Sequence, residues 1–181
     1  MDLQQSLLHQ VQGRSTYLCI GSSSVKKYLG FTDGSADNTG NRSGGWAFVL
    51  DFLGFRIISS GFEKDTTNNR MEILAVLKLL EYCDQYFQDS INNILITSDS
   101  KYVINSITQW RFKWESNGWK TNSGPVANVD LWQAITPLAD KLKPEFKWVK
   151  GHAGHEQNEL CDTLAGTSRI QEIEVLRRIR R

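Results

Sequence analysis

Four acidic residues, Asp33, Glu72, Asp99 and Asp162, each lie in a distinctive local frame: FTDGSA, TTNNRME, TSDSKYV and GHAGHEQNELCD. They are separated by 39, 27 and 63 residues, so one site can contain them only in a fold that gathers strand ends and helices at a single place. Four carboxylates brought that close repel one another strongly, and a pair of divalent cations is the natural remedy. Taken singly, each acid has an ordinary explanation. Asp33 and Asp99 suit strand-end turns, Glu72 favours a helix N-terminal dipole, and Asp162 fits a solvated helix face. Taken together they point to metal-dependent phosphodiester chemistry.

The patterning around these acids supplies such a fold. VKKYLGFTDG reads as a strand ending in an acidic turn, GGWAFVLDF as a second strand and GFRIISSGFE as a third, with Leu53-Gly54 as the hairpin turn. NNRMEILAVLKLLEYCDQY then places apolar residues at helical spacing, Met71, Leu74, Leu77 and Leu80 among them, with Asn68 or Asn69 as the cap and Glu72 in the first turn. NNILITSD is a short buried strand ending at Asp99, SKYVINSIT a helix, and VDLWQAITPLADKLK another with a possible kink at Pro137. FKWVKGH reads as a last strand, and EQNELCDTLAGTSRIQEIEVLRRIRR as one terminal helix with Asp162 in its second turn. Strands first, then alternating strand and helix, make an α/β protein with a mixed sheet flanked by helices. C-terminal strand ends in such folds collect ligands, and Gly34 after Asp33 permits a close backbone approach there.

Composition permits this and excludes other classes. With 181 residues, 40% hydrophobic and 23% charged, the chain suits one domain with a self-sufficient core. No stretch reaches the ~18 apolar residues of a membrane span, and residues 1–25 lack the pattern of a secretory signal, reading instead as an irregular extension. Cys19, Cys83 and Cys161 form no CxxC pair, which fits free thiols in a reducing compartment, the cytoplasm. Cys161 beside Asp162 is better read as a packed thiol than as a nucleophile. The net charge of +1 conceals a central portion of −4 between basic ends. Two bound Mg²⁺ ions would make that portion attract phosphate.

The series FTDGS, TTNNRME, SDSKYV, ITQW, GWKT, NVDLWQ and WVKGHAGH, followed by NE, CD and LA, resembles bacterial-type (type 1) ribonuclease H, in order and over residues 26–168. The resemblance implies a ribonuclease H-like fold, a five-stranded mixed sheet with three antiparallel strands first and then parallel strands, flanked by helices. It implies hydrolysis of the RNA strand of RNA–DNA hybrids by two Mg²⁺ ions, with Mn²⁺ as a possible substitute, giving 5′-phosphate and 3′-hydroxyl ends. Asp33, Glu72, Asp99 and Asp162 match the family's metal-binding acids, and His152 matches the histidine of its mobile loop. His155 matches no catalytic position. Asn38, Asn68 and Asn69 correspond to minor-groove contacts, Tyr102 and Trp114 to the DNA-strand channel, and Thr67 and Asn128 to a pocket for a DNA phosphate.

This chain departs from the family pattern in two places. Asp65 stands where an arginine usually completes the phosphate pocket, and a carboxylate there repels phosphate. The segment between Trp110 and Trp132 carries only Arg111, Lys113 and Lys120 as basic residues, so hybrid affinity and its salt dependence should both be reduced. Trp46, Trp119, Trp132 and Trp148 read as core or loop-packing residues. Residues 169–181 form an Arg-rich helical extension, with Ile170, Ile173, Leu176 and Ile179 as its apolar stripe. A stand-alone monomer is expected. A non-catalytic hybrid-binding module is the alternative, and it predicts the loss of a metal ligand, whereas all four acids are present.

Overall fold

The computed structural model describes residues 28–37, 42–87, 93–171 and 175–180; the expected N-terminal extension and Asn38 lie outside them. Three antiparallel strands come first, β1 (Tyr28–Ala36), β2 (Gly44–Phe52) and β3 (Phe55–Glu63), followed by a long helix, α1 (Asn68–Phe87). β4 (Ile94–Ser98) leads into a continuous helical stretch of α2 (Lys101–Asn105), a π-helical segment at Ser106–Trp110 and α3 (Arg111–Ser116). Two-residue strands β5 (Lys120–Thr121) and β6 (Gly124–Pro125) form a small ribbon before α4 (Val129–Leu142), β7 (Glu145–Trp148), α5 (Glu156–Gln171) and β8 (Val175–Arg180). The main sheet has the order β7-β4-β1-β2-β3-β8, with β1/β4 and β4/β7 parallel and the other neighbours antiparallel. The five expected strands are thus present, and a sixth extends the sheet.

The β2–β3 hairpin turns at Leu53 and Gly54, with φ of 47° and 75°, the left-handed pair that matches the strands' twist. Both faces of the sheet are covered. Trp46, Phe48 and Leu50 alternate with Ala47, Val49 and Asp51 along β2: Phe48 and Leu50 join Ile57, Ile73, Val76, Leu80, Trp132 and Ile135 in the principal core, whereas Ala47 and Val49 pack with Cys161 and Ala165 of α5. Each fully buried Leu or Ile contributes about 1.5–3 kcal/mol through removal from water. Cys161 is a packed thiol whose S–H donates to the Phe31 carbonyl at 3.3 Å. Asp51, buried on the α5 face, is neutralised by both oxygens accepting from the Arg56 guanidinium at 2.8 and 3.0 Å.

Two local expectations are corrected. The cap of α1 is Thr67, whose Oγ1 accepts from the Arg70 amide, so Glu72 falls just beyond the first turn. The C-terminal segment leaves its helix after Gln171 and returns as β8, pairing Phe55 with Arg180 through Ser60 with Val175. The reason is the open edge of β3, whose unpaired amides and carbonyls are satisfied by an added strand; Val175 and Ile179 are β-branched and suit it. Among the described residues no helix is long and apolar enough to cross a membrane.

Candidate active site

The site forms where β1, β4 and the start of α1 meet. Asp33 lies within β1, opposite Ala47 of β2 and two residues past Phe31, where the pairing with β4 stops; the strand continues to Ala36 rather than ending in the expected acidic turn, because β2 goes on pairing with it. Asp99 follows the last residue of the parallel neighbour β4. Glu72 reaches them because α1 approaches β1 without a side chain between: a Cβ on Gly34 would lie 2.2 Å from the Glu72 amide nitrogen. Carboxylate oxygens of Asp33, Glu72 and Asp99 all fall within 4.8 Å of one another. Asp33 and Glu72 are buried and Asp99 half-buried. Asp162, from α5, stands outside this trio, yet its charge is felt by all three.

Burial and mutual repulsion raise these acids. Desolvation first, then the Asp99 charge, push Asp33 up to about 7, against the Gly34 amide that donates to its Oδ1 at 2.8 Å. Glu72 is held well above the ordinary range by burial and then by Asp33 and Asp99. Asp99 is raised by burial, with Asp162 adding to it and Asn158 opposing it. Oε2 of Glu72 is buried without a hydrogen-bond partner. Three grouped carboxylates, one of them with a buried oxygen that has no donor, have the chemistry of a hard-cation site, so a divalent ion fits this oxygen-only donor set.

His152 sits on the loop after β7 at φ +52°. Its ring is 81% exposed, with Nδ1 3.6 Å from Oδ2 of Asp162. His155 is also exposed, and its carbonyl accepts from the Glu159 amide at the start of α5.

A family model described as RNase H matches residues 25–169. The chain belongs to the RNase H family. A ribonuclease H from Oleidesulfovibrio alaskensis is 46% identical over 138 residues, covering 75% of this chain and 85% of that one. One from Novosphingobium aromaticivorans is 40% identical over 141 residues, 77% and 94% of the two chains. Among solved structures, a type 1 RNase H with the type 2 active-site motif superposes with a TM-score of 0.75 at 27% identity, covering 87% of this chain and 79% of that one. As a member of the RNase H family the chain is an enzyme, a metal-dependent endoribonuclease.

The remaining expected positions fall into two groups. Thr67, Asn68 and Asn69 are exposed at the start of α1, where Oδ1 of Asn68 accepts from the Ala36 amide at 3.2 Å and ties β1 to the helix. Arg70 binds Glu63 and Asp130, drawing this turn toward Asn128, which caps α4 in a left-handed conformation with no side-chain cap bond. Asp65 is exposed at φ +52°. Tyr102 and Trp114 lean on the buried Trp132, their ring centroids 5.9 and 5.8 Å from it.

Sequence reasoning passed over three side chains. Trp110 bridges Tyr102 and Trp114 at 6.1 Å from each and is 40% exposed; the π-helical segment ending at Trp110 turns it outward, and only the ITQW motif hinted at it. Asn158 is buried beside Asp99, one turn before Asp162 in the same motif. Trp148, read from the sequence as a core or loop-packing residue, is 44% exposed and bonds to the main chain of Asp99. Arg111 is no surface cation either: it is buried, donating to the Ile107 carbonyl and paired with Asp140.

Proposed function

We propose that this protein hydrolyses the RNA strand of RNA–DNA hybrids, leaving 5′-phosphate and 3′-hydroxyl ends. The observation that carries the reading is the convergence of Asp33, Glu72 and Asp99 within 4.8 Å, with one buried oxygen of Glu72 left without a hydrogen-bond partner. Asp33, Glu72, Asp99 and Asp162 would hold two divalent cations, Mg²⁺ with Mn²⁺ as a substitute. When bound, these supply Lewis acidity to the scissile phosphate and activate the attacking water near neutral pH.

The chain's own side chains do the rest. The raised proton affinities of Asp33 and Glu72 mean that cation binding must displace protons, so loading improves as pH rises. His152, exposed and 3.6 Å from Asp162, is free to carry a proton away from the reacting centre or to aid product departure. Asn38, Asn68 and Asn69 read the hybrid's minor groove, where the 2′-hydroxyl beside Glu72 marks the RNA strand. Tyr102 and Trp114, with Trp110 between them, offer an apolar platform to the sugars of the DNA strand. Thr67 and Asn128 receive a DNA phosphate, and Asp65 weakens that pocket. The enzyme is read as a cytoplasmic monomer.

Incubation with labelled hybrid, duplex RNA and duplex DNA, in Mg²⁺ and in EDTA, tests the proposal. Cutting of the hybrid's RNA alone, in Mg²⁺ alone, is expected. Cutting confined to duplex DNA rejects it, and tight hybrid binding without cleavage promotes the non-catalytic module.

A further inference from the structure

Trp148 is a large indole that ends β7 and remains nearly half exposed, although it stands in a sheet with a covered core. An exposed tryptophan at such a place is informative because packing does not explain it. Its Nε1–H donates to the backbone carbonyl of Asp99 at 2.9 Å, and the Lys101 ammonium lies over its ring, 4.3 Å from the centroid. Asp99 lies beyond the last ladder residue of β4, Ser98, which is in register with Trp148. Its carbonyl therefore has the indole as partner where sheet bonding has ended.

The chain after Trp148 continues around the same residue. The Val149 amide donates to the Ser98 carbonyl at 3.1 Å, and a Cβ on Gly151 would lie 2.5 Å from Oδ2 of Asp99. Asp99 is thus gripped at its main chain by Trp148 and confined at its carboxylate by the Gly151 backbone, one residue before His152. Lys101 covers the outer face of the indole and holds the ring against this carbonyl.

We infer that Trp148 is a positioning residue for Asp99, its indole N–H fixing the direction in which the Asp99 carboxylate meets those of Asp33 and Glu72. The inference rests on the reading of those acids as cation ligands. Groups that orient a ligand from behind typically account for 10–100-fold in metal affinity.

The test is Mn²⁺ binding to the metal-free protein, followed by electron paramagnetic resonance, in the parent, in Trp148→Phe and in Asp33→Asn, with thermal unfolding measured alongside. Trp148→Phe keeps an aromatic ring for Lys101 and removes the N–H donor together with one of the two fused rings of the indole, a loss of packing that the thermal unfolding measurement registers separately. It is expected to weaken Mn²⁺ binding about tenfold and to lower kcat while KM for hybrid stays the same. Parent-like affinity in Trp148→Phe overturns the inference. Parent-like affinity in Asp33→Asn overturns instead the reading of the acids as a metal site. Should Trp148→Phe fail to fold, the unmodified protein decides: in a ¹⁵N-labelled sample the Trp148 indole resonance shifts during a Mg²⁺ titration with the midpoint of metal binding, and a resonance that stays still contradicts the inference.

Discussion

At the scale of single residues, the acids work against the fold that holds them. Asp33 titrates near 7 in the native state against an ordinary value of 3.8, so between those values the folded protein keeps a proton that the unfolded chain releases. Stability contributed by that proton is full below the unfolded value and is lost as pH rises through about 7. In EDTA the melting temperature should fall by several degrees from pH 5 to pH 8, and Mg²⁺ should restore more of it at pH 8 than at pH 5; a flat or rising EDTA profile would refute this. Glu72→Gln replaces a buried carboxyl that has an unpartnered oxygen and that is costly to ionise beside Asp33 and Asp99. It should abolish cleavage yet stabilise the metal-free protein by about 1 kcal/mol, or roughly 3 °C, as read by calorimetry. Asp33, Glu72 and Asp99 could be singled out because each stands in a local frame with few other uses, and the fold brings these three together while Asp162 stands outside the group. Trp148 and Asn158 could not, since their partner, Asp99, is 49 and 59 residues away in sequence and only the fold reveals the contact.

At the scale of elements, the junction of β1 with α1 carries the site. Gly34→Ala would drive a methyl group into the Glu72 amide, so it should cost about 1–3 kcal/mol of stability and lower hybrid cleavage by on the order of 100-fold through displaced ligands. Normal turnover in a folded Gly34→Ala protein would argue against the close approach. The hairpin at Leu53-Gly54 and the helix from Asn68 could be read from local chemistry, because turn residues and apolar periodicity act over a few positions. β8 could not. Ile170, Ile173, Leu176 and Ile179 imitate a helical stripe, and what selects a strand is the unpaired edge of β3, more than 100 residues earlier in the chain. Deleting residues 172–181 should lower stability by about 1–3 kcal/mol through lost cross-strand pairs and leave kcat unchanged; a loss of kcat at full stability would place the strand in the site instead.

At the scale of the whole molecule, charge sets how the substrate is held. With Arg111 buried and bound to Asp140, the exposed cations between α3 and β6 are Lys113 and Lys120, beside Trp114 in a surface cleft of about 320 Å³. Asp65 adds negative charge where the DNA phosphate is expected to sit, whereas the Asp130 carboxylate is paired with Arg70. Raising salt from 50 to 200 mM should therefore raise KM for hybrid only on the order of tenfold, against ~10³-fold or more for proteins with many phosphate contacts; a much steeper dependence would require cationic contacts elsewhere. All of this depends on three carboxylates from distant parts of the chain sharing cations. A crystal soaked in Mn²⁺ and measured for anomalous scattering tests that most directly. The expected result is a manganese peak bounded by the carboxylates of Asp33, Glu72 and Asp99, and a map with no peak within coordination distance of them would contradict it.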